Sequence, residues 1–164
     1  MKKYRYYLDK YFDTIAYCLM PTHFHFLIRV KEFENHTVSQ LETEDNSTEM
    51  ISSKIISKNI GVLLSSYTKA FNKKYLRHGS LFQKHSKSKL IEDENYFISL
   101  IFYIHQNPVR SELTQKPEDW EFSSYQDYIN LRNGNLPNKE LIYSKFTIDD
   151  IRIITDTLIE KPTG

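Results

Sequence analysis

The sequence has little cysteine and no long apolar run, and each shortage excludes a class of protein. Its single cysteine, Cys18, cannot form an intrachain disulfide, and a thiolate zinc site would need further thiols. No stretch reaches the length of a membrane span, and the N-terminus lacks the apolar segment of a secretory signal. We therefore expect a cytoplasmic protein in a reducing compartment, with no membrane among its partners.

Acidic residues are absent from one long part of the chain. Between residues 50 and 91 there are nine Lys or Arg residues and no Asp or Glu, although the formal net charge of the protein is only +1. A segment this one-sided predicts a localised surface for a polyanion. A solvated basic helix face would explain the same charges, so both interpretations stay open at this point.

The most informative stretch is Met-Pro-Thr-His-Phe-His-Phe-Leu-Ile at residues 20–28. Its composition favours a strand, in which residues two apart point to the same face. His23 and His25 would then project from one face as a two-ligand platform for a divalent metal, which needs one or two further ligands. The alternative is that both are polar residues on the exposed face of a half-buried strand.

Apolar periodicity and turn residues predict one α+β domain with helices packed on an antiparallel, ferredoxin-like or RRM-like sheet. The predicted elements are a helix over 2–13, a hairpin of strands 15–20 and 23–30, a mobile loop at 32–52, a helix from 53 or 60 to 75, a strand over 80–91, a helix from 92 that ends at Pro108, a short helix over 122–131 and a last helix over 148–160. We expect Gly79 to adopt a left-handed turn and Thr147 to begin the cap of the last helix. Residues 1–131 would form the main domain, with 32–52 as an insertion, and residues 132–164 a helical extension.

Tyr103 and Asn107 lie four residues apart on the helix that follows residue 92, so they share one face about a turn apart. A phenol beside a divalent metal can attack a phosphodiester whose oxygen the metal polarises. Mg²⁺ or Mn²⁺ would suit that role, with an amide oxygen as a third ligand. His105 points elsewhere on this helix and is assigned no ligand role. Because the chain has 12 tyrosines, a packing role is the alternative for Tyr103.

Four segments in order resemble the signatures of a known family. They are AYCLMPTHFHFLIRV, YTKAFNKKYLRHGSLFQKHSKSKLI, FYIHQNPVRSEL and DWEFSSYQDYI. The first resembles the HUH motif of single-tyrosine transposases. The combination, over roughly residues 14–130, more narrowly resembles the REP-associated tyrosine transposases.

The resemblance implies a metal-dependent enzyme that nicks and joins DNA hairpins through a 5′-phosphotyrosine intermediate. Tyr103 would be the nucleophile, and His23, His25 and Asn107 would bind the metal. Six basic residues would grip the phosphates of single-stranded or hairpin DNA: Lys73, Lys74, Arg77, Lys84, Lys87 and Lys89. A homodimer that completes the site is left open.

The sequence departs from the family pattern in two places. Thr22 stands where the family usually has Asn, beside the first histidine. The family also has a strand before the first helix, and no matching segment precedes residue 2, so we expect a sheet without that strand. This leaves a second hypothesis, a truncated or domesticated relative that binds nucleic acid without catalysis. A third, an unrelated ferredoxin-like domain, would leave the four ordered motifs without explanation.

Overall fold

The computed structural model of the protein describes residues 2–31, 48–83 and 87–157. The chain divides into two compact units, which we name by their main elements. The helical unit contains Met1–Phe12 and Val30–Ser88, and the sheet unit contains Asp13–Arg29 and Lys89–Gly164. The division into domains at residue 131 stays a prediction.

A hairpin of two strands, β1 (Phe12–Leu19) and β2 (Phe24–Val30), forms the sheet. The turn between them is closed by the Met20 amide, which donates to the carbonyl of His23 at 2.8 Å. Proline has no amide to donate, so Pro21 is suited to the exposed turn. The predicted hairpin is therefore confirmed. The preceding helix, α1 (Lys2–Leu8), is shorter than predicted, because the chain is already extended at Phe12.

Short segments cover the edge of β1 that faces away from β2. The Leu19 amide donates to the carbonyl of Phe122 at 2.9 Å, and the Ser124 amide donates to the carbonyl of Tyr17 at 3.0 Å. Further along, the Asn138 amide donates to Thr14 at 2.7 Å. Backbone groups at this edge are thus satisfied without a third strand.

The predicted α+β class is confirmed, since helices pack on a two-stranded antiparallel sheet. A full ferredoxin-like sheet requires four strands, and the described residues form two. That finer topology stays a prediction.

The sheet unit holds a continuous apolar core built from the hairpin and the helix α3 (Glu94–Arg110). Buried residues of α3 include Ile101, Phe102 and Ile104, and they pack in one cluster with Leu27 of β2. Asp93 caps α3 by accepting from the amide of Tyr96 at 2.6 Å. The predicted end at Pro108 is wrong, because α3 continues to Arg110. Pro108 lies two residues before the end of α3, where its missing amide hydrogen costs the helix a single backbone hydrogen bond.

Three short helices complete the sheet unit. These are α4 (Tyr125–Tyr128), α5 (Glu140–Tyr143) and α6 (Ile148–Asp156). The helix predicted over 122–131 is therefore only one turn long, and α5 was not predicted. Thr147 and Asp150 form the capping box at the start of α6, as the sequence predicts. Residues 158–160 of the predicted last helix lie outside the described residues.

The helical unit is dominated by α2 (Thr48–Tyr75), which packs on α1. The predicted loop is wrong at residues 48–52, which are helical, and its remainder at 32–47 lies outside the described residues. Leu76 ends the helix in the left-handed region at φ 51°, and the Arg77 amide then donates back to Asn72 at 2.9 Å. Gly79 has φ 90°, so its predicted left-handed turn is confirmed.

The strand predicted over 80–91 is wrong for residues 80–83 and 87–91, none of which is extended in a sheet. The start of this segment instead folds against α2. The side-chain amide of Asn72 donates through Nδ2 to the Gly79 carbonyl at 2.7 Å, and the centroid of the Phe82 ring lies 6.0 Å from that of Tyr67. Residues 84–86 lie outside the described residues.

Candidate active site

The hairpin places His23 directly before β2 and His25 within it, two residues apart, so that both lie on one face. Their ring centroids are 4.9 Å apart and the ring planes are nearly perpendicular, at 88°. His23 is exposed, and its Nδ1 lies 3.1 Å from the hydroxyl of Thr22. The Nε2 of His25 is shielded from solvent. Leu27 follows on the same face and belongs to the core into which α3 packs.

The separation of the two ring centroids is that of an edge-to-face ring contact, and a shared metal ion would require a similar separation. Two imidazoles that each bind one metal through a nitrogen about 2.1 Å away hold their ring centroids about 5 Å apart, for bond angles between octahedral and tetrahedral. The observed 4.9 Å agrees with that value. Among the described residues, no group of three His, Cys, Asp or Glu side chains comes together. A metal bound here would therefore need an oxygen of another type, such as Asn107, or water.

The helix α3 brings Tyr103 and Asn107 together one turn apart, as their spacing predicts. The side-chain amide of Asn107 donates through Nδ2 to the backbone carbonyl of Tyr103 at 2.9 Å. This bond fixes the orientation of the amide and commits its nitrogen, so Oδ1 is the atom with ligand capacity. Asn107 is 6% exposed, whereas Tyr103 is only half-buried.

Arg110 lies on the same face of α3, two turns after Tyr103. Its guanidinium carbon is 5.2 Å from the centroid of the Tyr103 ring, within the range of a cation–π contact. The phenol therefore stands beside a permanent positive charge. A phosphate that approached Tyr103 would meet that charge too.

Other tyrosines of the sheet unit are packing residues. Tyr125 and Tyr128 are almost fully buried, and Tyr128 donates its hydroxyl to the carbonyl of Ile15 at 3.0 Å. Burial raises the pKa of Tyr125 to about 12 and also raises the pKa of Tyr128. A nucleophile must be reachable and able to lose its proton, so these two phenols are poorly suited to that role.

His105 points into the core, away from Tyr103, as its position on α3 predicts. It is fully buried, and its Nε2 lies 2.8 Å from the hydroxyl of Ser124. Burial lowers the pKa of His105 to about 3, so the ring is neutral at physiological pH. A hydrogen on Nε2 suits the contact best, because the bare Nδ1 then needs no acceptor in the apolar core.

The Ser124 hydroxyl joins α3 to the sheet. It accepts from the backbone amide of Tyr17 at 2.9 Å, and it lies 3.2 Å from the carbonyl of the same residue. Trp120 adds a second link, because its indole donates to the carbonyl of Leu19 at 3.0 Å. The DWEFSSY segment thus holds β1 and α3 in place, a role that the sequence did not assign to it.

Cys18 is a structural residue. It is completely buried in the sheet, and its thiol lies 3.5 Å from the sulfur of Met20. Burial raises the pKa of the thiol to about 12. Because metals bind the thiolate, Cys18 is not a candidate ligand.

A buried ion pair that the sequence did not reveal supports the same region. Asp127 is 1% exposed and accepts from Arg132 through both carboxylate oxygens, at 2.7 and 2.8 Å. The same guanidinium also donates to the carbonyls of Glu121 and Ser123, each at 2.7 Å. An added Cβ at Gly134 would lie 2.7 Å from the carboxyl carbon of Asp127, so only glycine fits there. The Asn-Gly-Asn sequence at 133–135 predicts only a turn, so it does not reveal this ion pair.

The predicted DNA-binding residues that the structure describes are all exposed. Lys73 and Lys74 lie in the last turn of α2, and Arg77 follows the helix with its guanidinium 5.7 Å from the Phe71 ring. In the sheet unit, Lys89 lies 4.9 Å from the ring of Tyr96. Lys87 is in the helical unit, and Lys84 lies outside the described residues. Their contact with DNA stays a prediction.

A curated protein from Haemophilus influenzae, named as a candidate REP-associated tyrosine transposase, is similar to this chain. The two are 27% identical over 117 residues, which cover 70% of this chain and 59% of the relative. The predicted resemblance to the REP-associated tyrosine transposases is confirmed. No family model and no solved structure matches the sequence.

The likeness to the REP-associated tyrosine transposases supports a transposase-family function at a general level. This chain spans about three fifths of the length of that relative, so the activity of the whole protein is a matter for proposal. None of the helices that the structure describes combines the length and the hydropathy that a membrane span requires.

Proposed function

We propose that this protein is a metal-dependent transposase that nicks and joins single-stranded or hairpin DNA through a 5′-phosphotyrosine intermediate. The observation that carries the proposal is the pair of imidazoles at 4.9 Å, the spacing expected for a shared metal. It is supported by the pairing of Tyr103 with Asn107 on α3 and by the named relative.

In this proposal the phenol oxygen of Tyr103 attacks the phosphorus of the scissile phosphodiester. A bond forms between that oxygen and phosphorus while the bond from phosphorus to the 3′ oxygen breaks. The phenol proton leaves to solvent, and the released 3′ oxygen takes up a proton, so the strand ends in a 3′-hydroxyl. Attack by a 3′-hydroxyl on the phosphotyrosine reverses the step and joins strands.

Mg²⁺ or Mn²⁺ would be held by His23, His25 and Asn107, two imidazole nitrogens and one amide oxygen. When bound, it would polarise a non-bridging oxygen of the scissile phosphate. Arg110 would place its positive charge beside the same phosphate, close to the ring of Tyr103.

The test is the covalent adduct. The protein is incubated with hairpin DNA that carries a single-stranded extension and with Mn²⁺, and denaturing gels reveal protein linked to DNA. We expect an adduct with the wild type and none with Tyr103→Phe, because that change removes only the attacking oxygen. Peptide mass spectrometry should place the nucleotide on Tyr103.

Tyr96→Phe is the matched control, since it removes a phenol oxygen from the same helix two turns earlier. It should form the adduct at the wild-type rate. His25→Ala should abolish cleavage while DNA binding remains nearly intact. An adduct that persists in Tyr103→Phe would refute the assignment of the nucleophile.

A second candidate function is nucleic-acid binding without catalysis. The observation that favours it is the exposure of basic residues in the helical unit, which contains none of the four proposed site residues. DNA retention that is equal in the wild type and Tyr103→Phe, with no cleavage by either, would support this second function.

A further inference from the structure

A groove with a volume of about 760 Å³ lies between α1 and α2 in the helical unit. The described residues that line it include four lysines and two serines, and none of these lining residues is acidic. The four lysines are Lys3, Lys58, Lys69 and Lys73, and Tyr7 and Gly61 also line the groove. Of these, only Lys73 was among the predicted DNA contacts. The Lys3 ammonium donates to the Ser66 hydroxyl at 2.7 Å and ties the two walls together.

The lysines on the α2 wall form a line of charge. Lys58, Lys69 and Lys73 recur at helical spacing on one face, and all three are exposed. At 1.5 Å per residue they span about 22 Å of the helix. None of the three forms an ion pair with a residue that the structure describes. A repeating anionic polymer, with one charge every few ångströms, matches a line of this length.

Gly61 sits in the middle of α2, where glycine costs about 1 kcal/mol relative to alanine. Packing within the described protein does not require it, because an added Cβ would meet nothing within 4 Å. Its position in the lining means that a side chain there would occupy groove space. A bare backbone at this point allows a bulky ligand to approach the helix closely.

We propose that this groove binds the sugar-phosphate backbone of single-stranded DNA, independently of base sequence. The proposal rests on the proposed function and adds Lys3, Lys58 and Lys69 to the surface that would hold the substrate. Lysine acts on phosphate as a point charge without the fork that reads base edges, so the contacts position the strand. Tyr7, half-exposed on the α1 wall, offers a ring on which an unpaired base can stack. The concave shape of the groove favours a single DNA strand over a lipid surface, because a lipid surface would need a flat protein face.

The test compares two double variants of equal charge in the full chain. Lys58→Gln/Lys69→Gln removes two groove charges, and Lys10→Gln/Lys116→Gln removes two exposed charges outside the lining. Affinity for a fluorescent single-stranded oligonucleotide of about 20 nucleotides is measured by anisotropy from 0.05 to 0.3 M salt. Each lost phosphate contact should cost about fivefold at 0.1 M salt, so the groove variant should bind about 25-fold more weakly. The slope of log affinity against log salt should fall by about 1.4.

The affinity of the control variant should stay within about threefold of the wild-type affinity, because charges that lie away from the bound DNA are screened by salt. A third variant, Gly61→Leu, adds bulk in the groove without a change of charge, and it should also weaken binding while the helix becomes more stable. Equal affinities for the two double variants would overturn the groove, and so would a groove variant that loses binding to anionic lipid vesicles but keeps it for DNA. Wild-type binding without a Tyr103 adduct would reject catalysis and leave the groove supported. A Tyr103 adduct together with unchanged DNA affinity in the groove variant would support catalysis and reject the groove.

Discussion

The two units of this protein reach stability by different means. Most of the described residues that are buried and apolar lie in the sheet unit, which also has buried polar connections, among them those of His105, Ser124 and Asp127. Among the described residues of the helical unit, the buried apolar ones are Tyr4, Leu8 and Phe12, and the α2 residues from 54 to 75 are exposed or half-buried. The proposed catalytic residues therefore lie in the unit with the buried core, whereas many of the basic residues lie on a helix whose side chains are solvated.

The largest expected effect comes from a comparison of two Asp–Arg pairs. Asp127→Ala should lower the free energy of unfolding by about 3–5 kcal/mol, because it leaves the Arg132 guanidinium without its carboxylate in a partly buried site. Asp13→Ala breaks the more exposed pair with Arg29, which measures 3.0 Å, and should cost about 1 kcal/mol or less. Urea unfolding followed by fluorescence of Trp120, the single tryptophan, reports the sheet unit directly. Equal losses in the two variants would contradict the proposed difference in burial.

A smaller effect depends on pH and on His105. Burial lowers the pKa of this residue to about 3 from an unfolded value of about 6.5, so below pH 6.5 the unfolded chain binds the extra proton. Stability from the neutral ring is therefore complete above pH 6.5 and falls as the pH drops toward 3, by about 1.4 kcal/mol per pH unit. Urea unfolding at pH 6.5 and 5 should differ by about 2 kcal/mol from this residue.

The control for that measurement is a histidine of the helical unit. His105→Gln should remove most of the pH dependence in this range, whereas His78→Gln, at an exposed position, should preserve it. The same pH slope in His105→Gln as in the wild type would show that other groups cause it.

The smallest expected change in stability concerns Leu76 in the helical unit. Leu76 holds a left-handed conformation at φ 51° and is 89% exposed, so its side chain adds strain and little packing. Leu76→Gly should stabilise the C-terminus of α2 by about 1 kcal/mol, because glycine adopts this conformation without a steric penalty. Thermal unfolding followed by circular dichroism at 222 nm would detect the gain. A decrease in stability would contradict the strain assigned to Leu76.

The sequence predicts those features that depend on neighbouring residues. The alternation through His23 and His25, the left-handed Gly79 and the capping box at Thr147 are all local, and the structure agrees with each. The placement of His105 away from Tyr103 follows from helical spacing alone. The role of these residues in a metal site stays a prediction.

The sequence misses features that depend on distant contacts. Residues 80–83 have the composition of a strand, but the Phe82 ring and the Gly79 carbonyl bind to α2 instead of to a sheet. The carboxylate of Asp127 is buried only because Arg132 folds over it, and no pattern in the chain announces a buried acid. The groove between α1 and α2 likewise depends on the packing of two helices that are distant in the sequence.

The coverage of the β1 edge has a consequence for how the sheet can grow. Amides and carbonyls of β1 on that side are already engaged by Phe122, Ser124 and Asn138. Any further strand, from this chain or from a second copy, would have to displace those contacts or pair with β2. Extension of the sheet is therefore directional, and a new strand would be added next to the one that carries His25.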